Sequence, residues 1–295
     1  LIDARPVALL GEGLVFTAMK PAEDGMGYIL RCANLRGEAT ELGGFFRSVR
    51  ASYAGRQYRH EEIAAGEVGT TFRNDTHEFE FLGNHKTLGR FSGTMGGSLL
   101  DRSFVATGEE ALSPPVDQRG AAAFLYEEIG WHHATLQLGG RLDNASYTPK
   151  SDDLPAREFT TFSGSVGLLI QPPFADHRST IAVSLARTSR YPALEELYFY
   201  GPHPGNFAFE IGNPNLTPEH ALGVDLSFRW RSSRFSTEIT YFRNAIDDFI
   251  FRNPVEDGDA LVESGSHEGH GHGDDEFPVI EFVGADSLLQ GIEVH

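Results

Sequence analysis

Apolar and polar positions alternate with a period of two along most of this chain. Ile181, Val183 and Leu185 alternate with Ala182, Ser184 and Ala186; Leu222, Val224, Leu226 and Phe228 alternate with Gly223, Asp225 and Ser227. Phe162, Val166, Leu168 and Ile170 share a face with Gly164, and Phe79 and Phe81 oppose Glu78 and Glu80. Successive side chains of a strand point to opposite faces, so this pattern predicts strands. The candidates are 43–58, 72–86, 89–107, 118–148, 157–171, 178–190, 220–231, 234–253 and 277–294. Segment 118–148 is too long for one strand and divides near "EEIGWHH", which gives about ten strands.

The second faces decide what kind of sheet this is. A soluble sandwich would carry solvated Lys, Glu and Thr there. Here many positions are small and neutral, as in Ser92, Thr94, Gly96 and Ser98, or Ser163, Ser165 and Gly167. Such a face suits the inside of a barrel whose outside meets lipid. The connections fall into two kinds, short ones such as "RSSR" at 231–234 and long polar ones at 108–118, 148–158, 201–219 and 253–277. Short turns on one rim and long loops on the other are the pattern of an outer-membrane barrel. Tyr191, Tyr198, Phe199 and Tyr200 cluster at the end of a strand and are expected to form an interfacial aromatic girdle. No run of eighteen apolar residues is present, so no membrane-spanning helix is expected. No repeat of 20–50 residues marks a propeller or solenoid.

Composition adds exclusions. Of 295 residues, 42 are acidic and 24 basic, a formal net charge of −18, which argues against a nucleic-acid partner. With 33 glycines and 22 phenylalanines the chain favours strands and turns over helices. Cys32 stands alone, so no intrachain disulfide is expected.

The sharpest chemical feature is "SHEGHGHGDDE", residues 266–276. His267, His270 and His272 are followed by Asp274 and Asp275, and imidazole with carboxylate suits zinc, nickel or copper. The interleaved glycines let the backbone wrap an ion but raise the entropic cost of ordering it, so a low-affinity gathering segment is expected. His203, in "YGPHPGN", is a further candidate ligand. His132 and His133, read as strand residues, would point to opposite faces; His60, His77 and His85 are scattered without ligand spacing. There is no G-x-S-x-G, H-E-x-x-H or P-loop. Glu195–Glu196 and Asp247–Asp248 read as solvated neighbours rather than an acid/base pair. The chain is therefore read as non-enzymatic, with no cofactor required and Zn²⁺ or another divalent metal as a transported substrate.

Residues 186–228 carry a resemblance. Arg190, Pro192, Glu196, Leu197, "YGPH" at 200–203 and "EIGNPNLTPE" at 210–219, followed by an alternating strand, are similar to the TonB-dependent receptors of bacterial outer membranes. Weaker similarity extends over 28–295; residues 1–27 match nothing assignable. The resemblance implies a large antiparallel transmembrane barrel, plugged by an N-terminal domain and embedded in outer-membrane lipid. It also implies uptake of a scarce ligand, an iron chelate or a metal ion such as zinc, energised through TonB. The His-rich segment resembles external loops of the family's zinc-uptake members. A plug and a TonB box are not found in the sequence, and only about half the strands are, so an all-β partial barrel is expected. TonB contact is expected to go through the plug region. A soluble secreted all-β binding protein and a β-rich hydrolase are the competing readings. The first needs charged second faces and the second needs a convergent acid/base pair.

Overall fold

The computed structural model describes residues 14–18, 29–42, 44–64, 67–108, 111–173, 178–203, 208–255 and 278–295. Their strands are β1 (Leu14–Ala18), β2 (Ile29–Thr40), β3 (Phe46–Ala64), β4 (Glu67–His85), β5 (Phe91–Gly108), β6 (Val116–Gly130) and β7 (Ala134–Pro149). There follow β8 (Arg157–Ile170), β9 (Ser179–Arg190), β10 (Tyr200–His203), β11 (Ala208–Ile211), β12 (Glu219–Arg231), β13 (Ser236–Pro254) and β14 (Val279–Val294). One short helix, α1 (Leu194–Tyr198), lies between β9 and β10. All fourteen strands join one sheet, in the order β1 to β9, β12, β13, β14, β11, β10. Neighbours pair antiparallel except β14 and β11, which pair parallel, and β1 and β10 stand at the edges. The architecture is all-β, the partial wall of a large barrel.

The ten strands expected from alternation are present. Four more, β1, β2, β10 and β11, were not anticipated, and β1 falls inside the unassigned stretch 1–27. β3 and β4 also run further than expected, because their outward positions turn polar while pairing continues. Arg59 faces Arg73 and Gln57 faces Asp75 across that extension.

Register fixes the two faces. Leu226 pairs with Val183 and Tyr241, and Val183 pairs with Leu168. Large apolar side chains on this outer face lie open, Leu226 at 48% and Phe228 at 42% of full exposure. A soluble protein rarely exposes a contiguous patch of this size. From Leu222 to Trp230 the outward positions cover about 27 Å along the strand, or roughly 20 Å after a tilt of about 40°, close to the ~25 Å apolar band of a membrane barrel. One pleat above Phe79 and Leu99 the outer face becomes His77, Asp101 and Arg119. At the opposite rim, that of the short connections, Phe45, Phe91, Trp131 and Phe235 are exposed. These residues, not the predicted cluster, occupy the position of an aromatic girdle.

The predicted cluster is turned inward. Tyr198 is buried, with Leu194, Leu197, Val116, Tyr147, Phe159 and Leu216 in the same core. Tyr191 and Phe199 pack against it. Residues 191–199 and 212–218 do not rise away from the rim; they fold back against the inner face of the wall, while β10 and β11 join the sheet beside β14. The alternation rule could not anticipate this, since a five-residue helix has too few positions to show a period. Two smaller expectations also change. His132 and His133 lie in the turn between β6 and β7 rather than in a strand, their rings 4.3 Å apart. At Asp247–Asp248 the β13 register shifts, with Asp248 at φ 56°, so simple alternation does not hold there.

Candidate functional site

The inner face is polar and its charges are held in place. Arg56, Thr76, Arg102, Gln118, Tyr147 and Arg157 lie side by side across β3 to β8. Arg56 pairs with Glu78, Arg50 with Glu38 at 3.1 Å and Arg141 with Asp143 at 2.6 Å. Below this row, Glu78, Glu80, Arg141 and Asp143 border a hollow of about 340 Å³ with Tyr191 among its lining residues. Small residues make its floor, Ser98, Gly120 and Ala122 among them. Such a surface offers fixed charges and hydrogen-bonding groups to a polar ligand without filling the space in front of them.

The inward segment is pinned by arginines from the wall. Arg190, the last residue of β9, grips Glu219 at 2.7 Å and Glu196 at 2.9 Å. Glu196 in turn accepts the Ala193 amide at 2.7 Å, closing the first turn of α1, and Glu219 accepts the Ile250 amide at 2.8 Å. Arg102 reaches Glu195 at 3.4 Å, and Arg157 donates to the Leu216 carbonyl at 3.1 Å. The paired glutamates 195 and 196 are thus not free surface charges. Tyr147 links both layers, donating to the Pro192 carbonyl at 2.9 Å and accepting from Gln118 at 3.3 Å. Burial pushes the Tyr198 hydroxyl up to about 12 and raises Tyr191 as well.

The "GNPN" turn closes the segment. Gly212 lies so near α1 that a Cβ there would meet the Tyr198 nitrogen at 2.7 Å and the Leu197 carbonyl carbon at 2.8 Å. Asn213 donates its amide to the Glu196 carbonyl at 2.8 Å, and its side chain accepts from Asn215 at 2.9 Å. Pro214 and Pro218 therefore shape a docked turn.

Of the predicted metal ligands, only His203 falls within the described residues; His267, His270, His272, Asp274 and Asp275 lie outside them. His203 sits on β10, with Nδ1 3.2 Å from the carboxylate of Glu210 on β11. Glu210 is 1% exposed and is also reached by Arg252 at 3.4 Å. Among the described residues no group of three or more His, Cys, Asp and Glu is arranged to hold a metal ion. His85 bonds Glu127, His77 bonds Tyr53, His220 bonds Ser189 and His60 stacks on Phe72. His132 and His133 lie at the rim opposite His203. The anchoring roles of Arg102 and Arg157 were missed because their partners, Glu195 and Leu216, are remote in sequence; Arg190 and Glu196 were picked out by the resemblance but without this role, and Glu210 was not singled out as a partner of His203. The one local trace is Arg-x-Phe, which stacks Arg102 on Phe104 and Arg157 on Phe159.

The model of the family described as "TonB dependent receptor-like, beta-barrel" matches residues 31–294. The chain belongs to the TonB-dependent receptors. Solved structures of the same fold include the copper transporter OprC, at 14% identity and a TM-score of 0.71. The hemophore receptor HasR of Serratia marcescens, in complex with its hemophore HasA and heme, matches at 12% and 0.65. The siderophore receptor PirA of Pseudomonas aeruginosa matches at 14% and 0.62. These matches cover 95%, 95% and 97% of this chain but 45%, 48% and 48% of the respective structures, so this TonB-dependent receptor chain spans about half their length.

Proposed function

We propose that this chain forms part of the wall of an outer-membrane uptake receptor in a Gram-negative-type bacterium. Its polar inner face would pass a metal ion or metal chelate inward with energy supplied through TonB. The observation that carries the reading is the two-faced sheet, with an exposed apolar band on one side and fixed ion pairs around an open hollow on the other. Contact with TonB would go through the plug region that the family resemblance implies. The wall positions and shields a small ligand, and no bond-making step is assigned to it. The exposed Leu226 and Phe228 weigh against the soluble secreted alternative.

Within that reading, the substrate is a divalent cation such as zinc, gathered by His267, His270, His272, Asp274 and Asp275 and passed toward His203. What supports this is position. Pro278, at the described end of that stretch, accepts the Phe209 amide at 3.0 Å, next to the hairpin that carries His203 and Glu210. The copper transporter, hemophore receptor and siderophore receptor share the fold and differ in cargo, so side chains rather than fold must set the substrate. The test is zinc accumulation in cells bearing the full receptor, with and without functional TonB. Accumulation should depend on TonB and fall several-fold at limiting zinc when the three histidines become alanine. Equal zinc content in all strains would refute the cation assignment. Monodisperse full-length protein in detergent-free buffer would refute the membrane wall itself.

A further inference from the structure

An apolar cavity lies where three rim segments meet, and the uptake reading gives it no role. Its volume is about 310 Å³. Leu112 and Pro114 come from the connection between β5 and β6, Leu154 from that between β7 and β8, and Leu197, Tyr198 and Pro214 from the inward segment. No Asp, Glu, Lys, Arg or His is among the described lining residues. The cavity walls are set. Leu112, Leu197 and Tyr198 are buried, and the Leu112 carbonyl accepts the Tyr200 amide at 2.6 Å. The hydroxyls of Ser113 and Tyr198 are engaged by the carbonyls of Pro114 and Pro155.

The depression is partly open, and small-molecule pockets begin near 300 Å³. Its space, bordered by aromatic rings and prolines with no charged side chain among the described lining residues, has room for two fused rings. We propose that this cavity binds a small, flat, uncharged ring system of about the size of indole. The anionic oxygens of a metal chelate would lose their hydration there without a cation in return, so the site discriminates against them. The ring can be a free molecule or the apolar end of a larger cargo.

The test uses the full-length receptor in detergent with 5-fluoroindole as probe, followed by fluorine NMR line broadening. Leu112→Trp and Leu154→Trp each place an indole inside the cavity from a different connection, and heat-modifiable gel migration reports whether each variant has folded. The difference between wild type and variant removes the micelle contribution. The expected result is a saturable component in the wild type that weakens at least about tenfold in the folded variants. Equal broadening in wild type and folded variants overturns the proposal. Once the saturable component is seen, the probe's effect on cargo uptake assigns the source. Slowed uptake identifies the ring as part of the cargo, and unchanged uptake identifies a separate ligand; both support the site. Binding needs only folded protein, so a negative result leaves the uptake reading untouched.

Discussion

The wall and the segment folded against it obey opposite rules. In the wall, large apolar residues such as Leu226 face outward and small or charged ones face inward. In the segment 191–218, Leu194, Leu197 and Tyr198 point at the wall and are almost wholly buried. The wall is held by a continuous ladder of backbone hydrogen bonds, so single side chains tune its solvation rather than its existence. Outside the short strands β10 and β11, the segment has little regular backbone pairing and rests on one apolar cluster plus arginine contacts from β5, β8 and β9. Two parts of one chain, a few ångströms apart, should therefore fail independently.

The largest effect should come from Leu197→Ala. Removing a fully buried leucine costs about 2–5 kcal/mol. The loss should fall on the segment, so hydrogen exchange of amides 194–203 should accelerate while the denaturant midpoint of the wall barely moves. A coincident loss in both would show that the two regions are one cooperative unit. Leu226→Arg should do the reverse. A cation at the middle of the lipid-facing band costs about 2–4 kcal/mol, whereas Ser227→Arg on the inner face should cost under about 1 kcal/mol, both read from unfolding of the full receptor in lipid vesicles. Similar costs at the two neighbouring positions would break the assignment of faces. Glu196→Gln comes next. It removes one of the two carboxylate partners of Arg190, leaving Glu219, and weakens the acceptor of the Ala193 amide, and should loosen the segment by about 1–2 kcal/mol without altering wall stability.

The smallest effect is a pH slope. The folded state raises Tyr198 from its ordinary value near 10 to about 12 by burial, so the neutral phenol is favoured in the docked segment. That contribution is complete below about pH 10 and is lost as pH rises toward 12. Segment protection in Tyr198→Phe should therefore fall less steeply over this interval than in the wild type. Identical slopes would remove Tyr198 from the alkaline transition.

The wall was legible because period two is written into every strand. β9 and β12 were expected at 178–190 and 220–231 and are found at Ser179–Arg190 and Glu219–Arg231. The limits of β3 and β4 were missed where polar residues such as Arg59, Arg73 and Asp75 keep pairing above the apolar band. The segment was not legible in kind. Tyr198 and Phe199 carry the same composition whether they face lipid or a core, and only contacts with Tyr147 and Phe159, far away in sequence, decide between the two. His203 was expected as a candidate metal ligand, and the carboxylate beside it, that of Glu210, could be named only once β10 and β11 were seen to pair.

The parallel pairing of β11 with β14 bears on the order of events during biogenesis. Phe209, Glu210 and Ile211 pair with Val279, Ile280 and Glu281, a sequence separation that β12, β13 and the stretch after them must bridge. Neighbouring wall strands close by local hairpins, but this contact waits for some seventy further residues of chain and carries the larger loop-closure entropy that goes with them. The hairpin should therefore be the last described element to gain protection in a pulse-labelled refolding experiment.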